Sequence, residues 1–237
     1  MKRYLSIIAI LLAVGVIIAG CGASSTPTDP PEAPAEEPAE EPEVDPPAEE
    51  APASHVPGEI VGASEPTGPD TLDGTISIEG QEEPTQFFRH HVPGMQMVAY
   101  VPENIEIEGE MAPDADRVQF HTAFGGTRRD DVYLAVELSA PGRTLEEVLE
   151  RERGRLEADG YRVEALGATE RSHEWAVEEL SLEKESGGDL YVGRLAFGNA
   201  GHRTLLAMTH MPSEFAGGAG ARFRAILAEM QWYGLAE

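Results

Sequence analysis

The chain has 237 residues, with 43 acidic against 17 basic side chains, a formal net charge of −26 and a single cysteine. That balance argues against a nucleic-acid ligand, whose phosphates require a basic footprint. One cysteine also excludes a disulfide framework within the chain, so any folded part is held by its core alone.

In chain order, the first element is an export signal over residues 1–20. Lys2 and Arg3 form its positive start, and Leu5 to Ala19 is an apolar run interrupted only by Ser6 and Gly15. The run is short for a membrane span, which needs about 20 apolar residues. It closes on Ile18-Ala19-Gly20-Cys21, which holds the sole cysteine. This stretch resembles the lipobox of bacterial lipoproteins. The resemblance implies a diacylglyceryl group on the Cys21 thiol, cleavage before Cys21, and the remainder of the chain outside the cytoplasm on the membrane. An uncleaved N-terminal membrane helix is the alternative, and it leaves the chain on the same side, because Lys2 and Arg3 stay cytoplasmic.

Residues 21–83 read as a disordered tether. Residues 22–83 hold 12 of the 18 prolines, 17 acidic residues and no Lys or Arg, with a short repeat at Pro34-Ala35-Glu36-Glu37, Pro38-Ala39-Glu40-Glu41 and Pro47-Ala48-Glu49-Glu50. Proline removes backbone donors, like charges repel, and too few apolar side chains remain to offset the entropy of ordering. As a coil, such a segment spans about 45 Å. It serves as a spacer or, in a sharper reading, as a docking peptide for a proline-recognising or basic partner.

Residues 84–237 are expected to form one globular domain, carrying 15 basic and 26 acidic residues. Gln86–His91 and Met95–Val101 read as a hairpin about Val92-Pro93-Gly94, and Val118–Phe124 with Val132–Ser139 as a second pair. The period then changes. Thr144-Leu145-Glu146-Glu147 is a capping box opening a helix, Leu145, Val148, Leu149 and Leu156 form its apolar face, and Gly160 stops it. Tyr161–Ala168, Glu174–Leu182, Leu190–Phe197 and Thr204–His210 read as strands, and Ala221–Met230 as a closing helix. Strands, helix, strands, helix define an α+β class: a mainly antiparallel sheet with helices packed on it.

Val92-Pro93-Gly94-Met95-Gln96-Met97-Val98-Ala99-Tyr100-Val101-Pro102 and Met211-Pro212-Ser213-Glu214-Phe215, with Phe223-Arg224-Ala225-Ile226-Leu227 and Gln231-Trp232 after it, are similar to the opening and closing of Mog1/PsbP-like domains. The resemblance implies an α/β/α sandwich over residues 86–233, of a kind found in bacterial lipoproteins as binding or assembly subunits. Enzymatic activity is not common among them.

Chemistry is expected mainly by exclusion. No nucleophile elbow, no HExxH helix and no phosphate loop with its lysine occurs in the sequence. Gly217-Gly218-Ala219-Gly220 reads as a flexible lead-in to a helix. Adjacent His90 and His91 point to opposite strand faces, His121, His202 and His210 converge only if the register brings them together, and Ser172-His173 lacks the remaining members of a triad. Glu106, Glu108 and Glu110 alternate along one strand face, with Asp114 and Asp116 following. They are weak candidates for a hard cation and otherwise a solvated, aggregation-resistant edge.

The resulting expectation is a membrane-anchored extracytoplasmic lipoprotein whose domain is a non-enzymatic binding or assembly module without a cofactor. Its partners are the membrane, through lipid on Cys21, and an envelope protein or small apolar ligand. An envelope hydrolase or metal-dependent enzyme with an unrecognised site is the alternative.

Overall fold

The computed structural model describes residues 64–111 and 114–235, with Met111 described by its backbone only. The signal segment, Cys21 and the first two thirds of the expected tether lie outside the described residues.

Eleven strands and two α-helices are described, in the order β1 (Thr71–Ile78), β2 (Gln81–Val92), β3 (Met97–Pro102), β4 (Ile105–Met111), β5 (Ala115–Phe124), β6 (Thr127–Ser139), α1 (Leu145–Ala158), β7 (Arg162–Ala165), β8 (Glu178–Ser186), β9 (Asp189–Ala200), β10 (Arg203–Pro212), α2 (Gly218–Ala228) and β11 (Gln231–Trp232). All strand pairings are antiparallel. The expected α+β class is what forms.

The strands make two sheets rather than one. The order is β1-β2-β3-β11 in the smaller and β4-β5-β6-β10-β9-β8-β7 in the larger. Period-two alternation sorts the faces of the larger sheet. Val118 and Phe120 of β5, Val132, Leu134, Val136 and Leu138 of β6, and Leu205 and Ala207 of β10 face the main core with Met97, Ala99 and Val101 of β3 and Phe223, Ile226 and Leu227 of α2. On the opposite face, Val148 and Leu156 of α1 seat on Leu180, Leu182, Leu195, Phe197 and Leu206. The larger sheet therefore has a helix on each side. A smaller cluster, with Ile76, Phe87, Tyr100 and Ala221 buried in it, packs the second side of α2 against the smaller sheet.

The helix at Thr144 forms as its sequence dictates. The Thr144 hydroxyl accepts from the Glu147 N–H at 3.2 Å, and the Thr144 N–H donates to the Glu147 carboxylate at 3.0 Å. Two of the four donors left over at the helix start are thus satisfied. Of its expected apolar face, Val148 and Leu156 are fully buried, while Leu145 and Leu149 pack at the margin of the cluster.

Three expectations are corrected. The domain does not begin at residue 84, because Thr71–Ile78 is strand β1 and Gln81 already opens β2. Leu72, Gly74, Ile76 and Ile78 alternate with polar residues, and the buried side of that alternation outweighs the acidic, turn-rich composition. Glu174–Leu182 is a strand only from Glu178, since residues 166–177 form a loop folded back over β8 and β9. There, fully buried Glu179 accepts from the Ser172 N–H at 2.8 Å and from Arg194 at 2.9 Å. Gly217-Gly218-Ala219-Gly220 is no flexible lead-in: Gly217 caps α2 and the next three residues are its first turn, with Ala219 and Gly220 buried.

Candidate functional site on the helix side of the larger sheet

Helix α1 covers only the β7–β10 half of its sheet face. Beyond it, the outward positions of β4, β5 and β6 carry Glu106, Glu108 and Glu110, then Arg117, Gln119 and His121, then Tyr133, Ala135 and Glu137. Register sets them side by side: Glu106 opposite His121, Glu108 opposite Gln119, Glu110 opposite Arg117, Arg117 opposite Glu137 and His121 opposite Tyr133. The outer face of this sheet is therefore apolar under the helix and polar outside it.

A charged seam marks the boundary, around a cleft of about 350 Å³ lined by Glu110, Arg117, Glu137, Arg151, Glu152 and Arg155 among others. Glu137 is 6% exposed and Glu152 7%. Arg117 donates twice to one Glu137 oxygen, at 3.0 and 2.5 Å, and Arg151 reaches the other at 3.5 Å. Arg151 also donates to Glu152 at 3.0 Å, Arg155 donates to the second Glu152 oxygen at 2.9 Å, and Arg155 bonds Asp159 at 3.3 Å. All four carboxylate oxygens are engaged, while each guanidinium, with five N–H donors, keeps donors for water or a ligand. Burial is the largest single influence and opposes the Arg117 charge, but the bond to Glu137 and the charges of Glu137, Glu152 and Glu110 together raise the pKa of the guanidinium above its ordinary value.

Next to the seam runs a row of rings across four strands. His121 and Tyr133 centroids lie 5.8 Å apart, Tyr133 and His210 5.1 Å, and His210 stacks on Tyr191 at 5.1 Å with 2° between planes. Tyr161, just before β7, bonds His210 Nδ1 through its hydroxyl at 3.0 Å, and Lys184 Nζ sits 5.1 Å from the Tyr161 ring centroid. Gly193 faces His210 across the β9–β10 ladder, and a Cβ there would fall 2.0 Å from the Thr209 carbonyl oxygen. Only glycine permits that backbone approach. Burial lowers the His210 pKa, with Asp131 opposing and Lys184 adding to the effect, while burial and neighbouring Tyr133 push the Tyr161 phenol up to about 12. His121, 3% exposed, is likewise lowered by burial and by Arg128.

The sequence candidates separate in three dimensions. Glu106, Glu108 and Glu110 do share one face of edge strand β4, but Glu108 is taken by Arg128 at 2.7 Å. Asp116 belongs to the opposite face and pairs with Arg203 at 2.7 Å, and Asp114 lies exposed before β5. Among the described residues, no group of three His, Cys, Asp or Glu side chains could hold a metal ion. His121 and His210 flank Tyr133, whereas His202 occupies the β9–β10 turn at the other end of β10. His173 stacks on Trp175 at 5.3 Å, with its pKa lowered by burial, and Ser172 is engaged through its backbone, so the pair serves the 166–177 loop. His91 approaches Glu65 and Tyr233, and neighbouring His90 points the other way.

Sequence reasoning missed Glu137 and Glu152. A signal for Glu152 was present: Val148, Glu152 and Leu156 recur every four residues, which puts the carboxylate on the helix face that meets the sheet.

No protein-family description matches this chain, and no curated protein does. Among solved structures it is similar to a protein of Bacteroides thetaiotaomicron VPI-5482, at 12% identity and a TM-score of 0.35, over 61% of this chain and 47% of that one. It thus spans about half the length of that protein. It is also similar to LpqN of Mycobacterium tuberculosis, involved in cell envelope biogenesis, at 9% identity and a TM-score of 0.31, over 68% of this chain and 90% of that one. Both likenesses are distant.

Proposed function

We propose that this protein is a lipid-anchored extracytoplasmic lipoprotein whose α+β domain is a non-enzymatic binding or assembly module for an envelope partner. The observation that carries the binding reading is the half-covered sheet face, where Tyr133, Tyr161 and Tyr191 gather around His210 and Tyr133 lies within electrostatic reach of Arg117 and Arg155 of the seam. Tyrosine and arginine are enriched at interface cores and among the residues that dominate binding energy. Here both types are held in place by neighbours before any partner arrives, which lowers the ordering cost of association.

The anchor rests on Ile18-Ala19-Gly20-Cys21, and the acidic excess of the domain selects a partner with a basic surface. A helix on each face of the larger sheet supports the likeness to the Mog1/PsbP-like α/β/α sandwich, to which the β1-β2-β3-β11 sheet is added.

Capture of a partner from envelope extracts by the full chain tests the reading. Retention at low salt, with loss at high salt and on Tyr133→Ala, is expected. A partner held equally by the variant removes this face from the reading, and salt-insensitive retention of an apolar small molecule replaces it. Turnover abolished by changing His210 or Glu137 establishes the enzymatic alternative instead. For the anchor, Cys21→Ala should abolish fatty-acid labelling, and unchanged labelling refutes it.

A further inference from the structure

Residues 64–70, Ser-Glu-Pro-Thr-Gly-Pro-Asp, form no strand or helix, yet they are held across β2 and β3 on the face that α2 also covers. The Glu65 carboxylate meets Arg89 through one oxygen and His91 Nδ1, at 3.3 Å, through the other. Arg89 also donates to the Pro66 carbonyl at 2.8 Å, and the Tyr100 hydroxyl donates to the Pro69 carbonyl at 2.9 Å. Tyr233, following β11, bonds His91 from the far side. A Cβ on Gly68 would fall 2.5 Å from the Tyr100 hydroxyl, so the segment lies directly on that ring, which is only 6% exposed. The floor is thus Tyr100, and the wall is Arg89 and His91, with Tyr233 behind His91.

The groove reads a glutamate side chain and the carbonyls of the two prolines that bound a Pro-x-x-Pro spacing, Pro66 and Pro69. Proline segments dock on aromatic floors in this way because their extended form is already set and their carbonyls are free to accept. Nothing in these contacts requires that the peptide be joined to the domain. Arg89 also gives the groove a positive wall on an acidic domain, which complements an acidic peptide.

We propose that this groove is a docking site for a glutamate–proline peptide of a partner protein, and that the chain's own Glu65–Pro69 is its resident occupant, which such a peptide must displace. This goes beyond the sheet-face reading and uses different residues. An occupant joined through a few residues acts at millimolar effective concentration, so displacement is governed by how firmly Glu65 is held.

The test uses the full chain and a fluorescent synthetic peptide of residues 64–70. The wild type is compared with a Glu65→Ala, Pro66→Ala double variant, in which the resident segment is loosened. Apparent affinity should rise at least about tenfold in the double variant. Adding Tyr100→Phe, which removes one hydroxyl, or Arg89→Ala should take that gain away, and a peptide with Gln for its Glu should bind more weakly. Matched thermal melts establish folding, and Tyr100→Phe supports the result if Arg89→Ala does not fold. Equal binding to wild type and double variant, including none to either at millimolar peptide, overturns the proposal. So does binding that survives both Tyr100→Phe and Arg89→Ala.

Discussion

The two faces of the larger sheet solve the same burial problem differently. Toward α2, β4, β5, β6, β9 and β10 contribute side chains to one continuous apolar cluster that runs from Met95 to Leu235. Toward α1, the apolar cluster stops at Leu206 and Met208, and arginine–carboxylate pairs take over the remaining contact between helix and sheet. The first face specifies the fold through volume. The second fixes the angle of one helix through directional bonds and leaves half a sheet uncovered by it.

The contrast is sharpest at neighbouring positions of β5. Phe120 is fully buried in the main core, and Phe120→Ala should cost about 3–5 kcal/mol in denaturant unfolding. Gln119 and its alanine variant should differ by no more than about 0.5 kcal/mol, as surface changes do. Similar losses at both positions would mean that the outer face is core as well. On α1, Leu156→Ala should cost about 2–5 kcal/mol, and Leu149→Ala clearly less, since Leu149 packs only at the margin. An equal effect would place the helix differently on the sheet. Glu137→Gln should cost about 1–3 kcal/mol, because it weakens charged bonds to two arginines at a buried site. A change within error would show that water compensates the seam fully.

The smallest effect is with pH. Burial lowers the pKa of His90, His121, His173 and His210. The unfolded chain therefore binds more protons than the folded one in the window from the normal histidine pKa, about 6.5, downward. Stability rises with pH through that window and falls on acidification. Melting temperatures should drop between about pH 7 and 5, and His210→Gln should flatten that slope. A slope of opposite sign would mean that protonated histidines are stabilised by the fold.

Much of the architecture was legible because it rests on local periodicity. The capping box at Thr144 and Glu147, the alternation along β5, β6 and β9 and the closing helix all follow from spacing in sequence. Strand β1 was hidden by its company: Asp73, Gly74 and Glu79 read as a continuation of the acidic segment, although Leu72, Ile76 and Ile78 keep period two. Strand β11 is two residues long and exists only because Gln231 and Trp232 meet Val98 and Met97. The candidate site was least legible. That Glu106, Glu108 and Glu110 share a face follows from alternation. That Arg128 neutralises Glu108, or that His121, Tyr133 and His210 line up, depends on cross-strand register, which single-strand patterns do not encode.

The segment at Glu65–Pro69 also governs how the domain bears load. Any pull arriving from residues N-terminal to Ser64 meets the Arg89 and Tyr100 contacts first, and then the β1–β2 hairpin, whose pairing begins at Thr71 and Phe88. These bonds are arranged in series, so they yield one after another instead of sharing the force. Freeing residues 64–70 would pay out about 25 Å of chain before a single ladder bond breaks. The hairpin could then peel from Thr71 toward Ile78 while the main core, built largely from other strands, stays intact. The domain is therefore fitted with a mechanical fuse at its N-terminal end, extensible under tension and able to reset when slack returns.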